Sequence, residues 1–129
     1  MTDARRAMGA AGEAAALRYL QRKGYRLLER NLRLGRTGEL DLVMKDGAIL
    51  VFVEVKAMLH GEAIRGFDKV HEPKQRKLIE LATIYLQRGA MQKPPLAYSA
   101  VRFDAVEVAF PDASLRQPKL IHLPDAFRA

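Results

Sequence analysis

With 129 residues, 49% of them hydrophobic, the chain is one domain's worth, long enough to bury a core and too short for two. It has no cysteine, which excludes a disulfide framework and a thiolate zinc site, and no apolar run approaching the roughly 18 residues of a membrane span. Its 22 Lys and Arg against 15 Asp and Glu give a formal charge of +7 and a pI near 10.0, favouring polyanionic partners such as nucleic acid; without an apolar leader the sequence reads as cytoplasmic.

The first predicted element is an Ala-rich helix from about Asp3 to Lys23, stopped by Gly24 as a plausible C′ residue. Glu13, Ala16, Leu17 and Leu20 fall on one helical stripe, so Glu13 is a carboxylate on the side that faces the core. Read alone, Glu13 sits at the edge of that stripe and pairs with Arg5, Arg6 or Arg18. If the helix crosses the hairpin that follows, Glu13 points at Asp41 and Glu54 instead. Tyr25 to Leu34 alternates loosely and suggests a strand ending in a basic turn, where Gly35 and Gly38 permit the reversal.

Gly38 to Lys56 reads as a β-hairpin around Asp46-Gly47, a dipeptide that two-residue turns prefer. That turn would set Met44 opposite Ile49, Asp41 opposite Phe52 and Glu39 opposite Glu54. Glu39, Asp41, Glu54 and Lys56 then project from one face, while Leu40, Leu42, Val51, Val53 and Val55 fill the other. Asp41 and Glu54 become diagonal neighbours, with Cβ atoms about 7 Å apart or less, close enough to share a divalent ion. The unbroken run from Ile49 to Val53 suits a strand buried on both faces, so the charged face is either wet or holds a cation. The competing reading is an exposed face with a Glu54–Lys56 ion pair.

Ala57 to Glu72 has no clear periodicity and is expected to be a flexible flap. His60 and His71 read as loop histidines, because neither has a partner at zinc-binding spacing, and His122 carries no signal. Pro73 suits the first turn of a helix running from Lys74 to Arg88 and stopped by Gly89, with Gln75, Leu78, Ile79, Ala82, Tyr85 and Leu86 on its buried face. Lys74, Gln75, Arg76 and Lys77 form a basic first turn that can meet phosphate, or else a solvated helix start. A linker from Ala90 to Leu96, a strand from Tyr98 to Phe110 and a short edge strand from Leu120 to Leu123 complete a single domain over residues 1–129.

The order α-β-β-β-α-β, with an acidic residue on the second strand and Glu-x-Lys on the third, resembles the PD-(D/E)XK nuclease superfamily. More narrowly, the chain is similar to the UPF0102 (YraN-like) family of small endonuclease-like proteins, related in fold to Holliday junction resolvases. The residues that carry the likeness are Gly12-Glu13 with Ala16 and Tyr19-Leu20, Gly24-Tyr25, Glu29-Arg30-Asn31, Gly38-Glu39-Leu40-Asp41-Leu42, Val51 to Lys56, Lys74 with Ala82 and Tyr85-Leu86, and Arg102-Phe103-Asp104. Met58 departs from it, standing where the family commonly has Arg.

The resemblance implies a restriction-endonuclease-like (tRNA-endonuclease-like) α/β fold, three layers α/β/α around a mixed central sheet. It implies that Asp41 and Glu54, helped by the Val55 carbonyl, bind Mg2+ (or Mn2+), that Lys56 activates or orients the attacking water, and that Glu13 completes the site. Lys74 and Gln75 match a basic helix start that contacts the substrate backbone. The implied activity is metal-dependent hydrolysis of phosphodiester bonds in DNA, branched or damaged DNA included. Hard oxygen ligands favour magnesium or manganese, and cutting two strands at once suits a homodimer. The alternative is a nucleic-acid-binding or scaffold module of the same fold that cuts nothing.

Overall fold

The computed structural model describes residues 3–59 and 72–129. Helical and alternating patterns resolve there into α1 (Asp3–Arg22), β1 (Arg26–Leu34), β2 (Gly38–Asp46), β3 (Ile49–Leu59), α2 (Glu72–Ala90), β4 (Ala100–Phe110) and β5 (Lys119–Phe127). The strands form one mixed sheet in the order β1-β2-β3-β4-β5, antiparallel except for the parallel β3–β4 pair. Parallel neighbours need a crossover connection, and α2 lies within it. Helix α1 packs on β3 and β4, and α2 packs on β2 and β1 across the sheet, giving the three-layer α/β/α arrangement. No helix among the described residues is long and apolar enough to cross a membrane.

The apolar run of β3 is buried on both faces, as its composition predicts. Val51 and Val53 join α1's Ala16, Leu17 and Leu20 on one side, while Leu50 and Phe52 join α2's Leu78, Leu81 and Tyr85 on the other. Each such Leu, Val or Phe contributes about 1.5–3 kcal/mol by leaving water. α1 touches the sheet most closely at Gly12, where an added Cβ would lie 2.6 Å from the Cβ of Ala57. Past its end, Gly24 takes φ +96° and its N–H donates back to the Gln21 carbonyl, the expected helix stop.

The hairpin differs from the sequence reading in register. Asp46 pairs with Ile49 and Met44 with Val51, so the turn residues are Gly47 and Ala48 rather than Asp46 and Gly47. Gly47, at φ +60°, occupies the first central position, as in a type II′ turn. Because the slip is two residues, each side chain keeps its face. Leu40 departs from this: it packs with Leu34 in the α2-side cluster, whereas Leu42 packs on the α1 side, so by alternation the neighbouring Glu39 also leaves the face of Glu54. The alternation changes beside Asn31, which adopts φ +51°, in the stretch of β2 beyond its last pair with β3, Leu42 with Val53.

Strand β3 continues to Leu59, so Ala57 to Leu59 belong to the sheet and not to the expected flap, and α2 begins at Glu72. The rest of that flap, with His60 and His71, lies outside the described residues. β5 is longer than the Leu120–Leu123 expectation because Phe127 also packs, its ring stacked 4.7 Å from that of Phe103.

Candidate active site

The site lies where β2 leaves β3. Beyond the Leu42–Val53 pair, β3 is no longer paired with β2, and the Val55 N–H donates to Asp41 Oδ2 at 3.0 Å instead of to a strand carbonyl. The observed register, carried one step further, sets Asp41 directly opposite Glu54 rather than diagonal to it. Glu54, with a side chain 15% exposed, accepts from Lys74 Nζ at 2.8 Å. Helix α2 therefore reaches the site through its first turn.

Burial pushes the Asp41 carboxyl up to about 7, and the negative charges of Glu54 and then Glu13 add to that push. The Val55 N–H and the Lys74 ammonium pull the other way without cancelling it. Burial also raises Glu13, as do Glu39 and Glu54, against a hydrogen bond from Asn31 and the charge of Arg30. The bond to Glu54 raises Lys74 and so holds its charge. Acidic groups are crowded here beyond what the surrounding cations neutralise.

Glu13 comes to this place because Gly12 lets α1 lie directly on Ala57 of β3. Its hydrogen-bond partner is Asn31, from β1, a residue of the Glu29-Arg30-Asn31 motif to which the sequence reading gives no role. Asn31 takes a left-handed φ of +51° inside the strand, a conformation that Asn adopts more readily than most residues. Lys56 is exposed and shares by alternation the face of Glu54, but the Glu54–Lys56 ion pair of the competing reading does not form, since Lys74 holds Glu54.

The remaining cations of the basic turn are also paired, Arg76 with Glu72 at 3.4 Å and Lys77 with Glu80 at 3.7 Å. Such exposed pairs are worth about 0–1 kcal/mol. Gln75 lies on the same turn, partly buried. Among the described residues, no three His, Cys, Asp or Glu side chains gather closely enough to hold a metal ion by themselves.

A second polar centre, centred on Asp104, was not expected. Asp104 is 1% exposed and accepts from Arg102 Nε at 2.8 Å, Arg102 Nη2 at 3.1 Å, the Asp125 N–H at 3.0 Å and the Tyr25 hydroxyl at 3.4 Å. His122 Nε2 lies 2.8 Å from Asp104 Oδ2, and Lys23 Nζ is 3.2 Å from Nδ1. A lysine donates at Nδ1, so the ring proton belongs on Nε2, facing Asp104. His122, given no role from sequence, is thus a buried tie between β5 and β4. Burial pulls the Asp104 carboxyl upward, but the bonds from His122, Arg102 and the Asp125 N–H prevail and hold it below the usual carboxylate range.

The family model described as "Uncharacterised protein family UPF0102" matches residues 12–108. The UPF0102 protein of Symbiobacterium thermophilum is 45% identical over 112 residues, covering 86% of this chain and 90% of its own. That of Xanthomonas euvesicatoria pv. vesicatoria is 45% identical over 129 residues, covering 100% of this chain and 98% of its own. That of Pelotomaculum thermopropionicum is 42% identical, with 98% and 100% covered. The matched stretch runs from the Gly12–Ala57 contact through Asp41, Glu54 and Lys56 to the Arg102–Asp104 pair, and by it the chain belongs to the UPF0102 family.

Proposed function

We propose that the chain is a metal-dependent endonuclease that hydrolyses phosphodiester bonds in DNA, with Asp41 and Glu54 as metal ligands. The observation that carries this reading is the Asp41–Glu54 pair itself. Two carboxylates stand side by side in a gap of the sheet, one of them raised to about 7 by burial and by the charge of the other. For a structural sheet this arrangement is unfavourable, whereas oxygen donors of this kind suit Mg2+ or Mn2+.

In an extended strand the N–H and C=O of one residue point to the same edge. Since the Val55 N–H meets Asp41, the Val55 carbonyl faces the same gap, in keeping with its proposed place as a third oxygen ligand. A divalent ion held there would neutralise charge developing on the phosphate and lower the pKa of its water. Lys56 orients the nucleophile from the Glu54 face, and Glu13, held by Asn31, accepts hydrogen bonds from its outer side. Lys74, released from Glu54, turns its ammonium to the substrate backbone alongside Gln75, Arg76 and Lys77. The positive net charge favours the polyanion throughout.

The second reading, a nucleic-acid-binding module that cuts nothing, draws on the Lys74–Glu54 ion pair, which already supplies Glu54 with a cation. The two are separated by comparing wild type with Glu54→Ala and Lys56→Ala on duplex, single-stranded and four-way DNA, with and without Mg2+ or Mn2+. Binding by all three proteins with cutting by wild type alone, and only with metal, is expected. Binding without cutting on any substrate, and no metal affinity by calorimetry, would establish the second reading.

A further inference from the structure

Glu107 stands on β4 level with Lys56 of β3 and with Ile121 of β5. Side chains level with one another on neighbouring strands share a face, so Glu107 belongs to the side of the sheet that carries Glu54 and Lys56. It is 4% exposed, and its Oε1 is buried with no hydrogen-bond partner among the described residues. A buried acceptor without a donor is unfavourable and calls for an explanation. Glu107 borders a cavity of about 460 Å³ that is also lined, among the described residues, by Ala109, Lys119, Leu120 and Ile121. Ile121 itself is 39% exposed. A residue with an unpartnered acceptor and an uncovered apolar side chain therefore border one recess.

We propose that this recess receives an unstacked nucleobase carrying an exocyclic amino group, as cytosine and adenine do, from the strand whose phosphate lies at Asp41 and Glu54. The proposal rests on the nucleic-acid part of the function above. Neighbouring strands are about 4.8 Å apart, which puts the recess within one nucleotide's reach of Lys56. Glu107 Oε1 accepts an amino hydrogen of the base, and Ala109 and Ile121 give the ring an apolar surface. Thymine presents a carbonyl where cytosine has its amino group, and sets oxygen against oxygen.

The test measures fluorescence anisotropy of labelled oligo-dC and oligo-dT in EDTA, so that no cutting intervenes. Wild type should bind oligo-dC roughly tenfold more tightly than oligo-dT. Glu107→Gln, checked for an unchanged circular dichroism spectrum, should bring the two within about twofold. An oligo-dC whose amino groups are dimethylated should lose the same advantage on wild type, a result that depends on no variant folding. Equal binding of oligo-dC and oligo-dT by wild type, or undiminished binding of the dimethylated strand, overturns the proposal. Absence of any binding overturns it together with the nucleic-acid reading, whereas base preference without metal-dependent cutting upholds it and removes only the endonuclease.

Discussion

Replacing Gly12 by Ala tests how Glu13 is delivered to the site. The new Cβ would sit 2.6 Å from Ala57 Cβ, against about 3.5–4.0 Å for an ordinary carbon contact, so α1 must back off by about 1 Å. Neither Cβ can swing aside, which places the overpacking near the upper end of its usual range, about 3 kcal/mol. Alanine's better helix propensity returns about 1 kcal/mol. A net loss of about 2 kcal/mol lowers the melting temperature of a chain this size by roughly 5–10 °C. Calorimetric melting reads that loss, and metal-dependent cutting should fall by up to about a hundredfold, since a 1 Å misplacement is enough. The companion Gly12→Ala/Ala57→Gly moves one methyl group across the contact; the next atoms, Ala57 Cα at 3.6 Å and Val108 Cβ at 3.9 Å, accept it without strain. It should melt within about 1 kcal/mol of wild type, the helix gaining what the strand loses. An undisturbed single variant, or a double variant no better than the single, would refute the reasoning.

Asp41→Asn should stabilise the metal-free protein while abolishing cutting. The folded carboxyl titrates at about 7 and the unfolded one near 3.8, so the folded chain holds an extra proton between those values and wild-type stability falls as pH rises through the window. The variant's advantage should be small at pH 4 and on the order of 4 kcal/mol at pH 8, and thermal melts that show no growth with pH count against it. Lys74→Ala removes a charge that lowers Asp41, so its carboxyl resonance should titrate higher by NMR; a fall would contradict the assigned geometry. Asp104→Asn leaves Arg102 without its buried partner and should cost about 3–5 kcal/mol in denaturant unfolding. Because the Asp104 pKa is depressed, its stabilising effect is present above about pH 4 and disappears as pH falls through the folded value, an acid step that the variant should lack.

The layers of this fold were legible because apolar spacing reports burial directly. The stripe of Ala16, Leu17 and Leu20 and the unbroken apolar run of β3 each found the partner expected of them. Asp41, Glu54 and Lys56 were assigned to one face by alternation, and Asp41 and Glu54 do stand together. The turn was placed one residue early because Asp-Gly and Gly-Ala are both acceptable turn dipeptides, and the choice between them depends on packing along the whole strand. Leu40 was put on the wrong face because a single left-handed residue in the neighbouring strand, Asn31, leaves no trace in β2's own pattern. His122 was invisible for a different reason: its partners Asp104 and Lys23 are 18 and 99 positions away, and only the folded sheet brings them together.

Two local conflicts in the sheet have opposite outcomes, and the contrast explains why one end of the molecule reads as a site. At Asp104 a buried carboxylate meets a full set of donors, and its pKa falls despite burial. Charge there is satisfied internally, and Arg102 Nη1 also donates to Asp46 Oδ2 of β2 at 3.1 Å, so the cluster fastens the turn after α1, β2, β4 and β5 and has little capacity left for a ligand. At Asp41 the same kind of carboxylate has one backbone N–H and a more distant ammonium, and faces two further acids, so its pKa rises. A chain selected only for stability would have resolved that conflict by placing an Asn or a second donor beside it. The separation of β2 from β3 that leaves it unresolved also opens that edge of β3, next to the exposed Lys56.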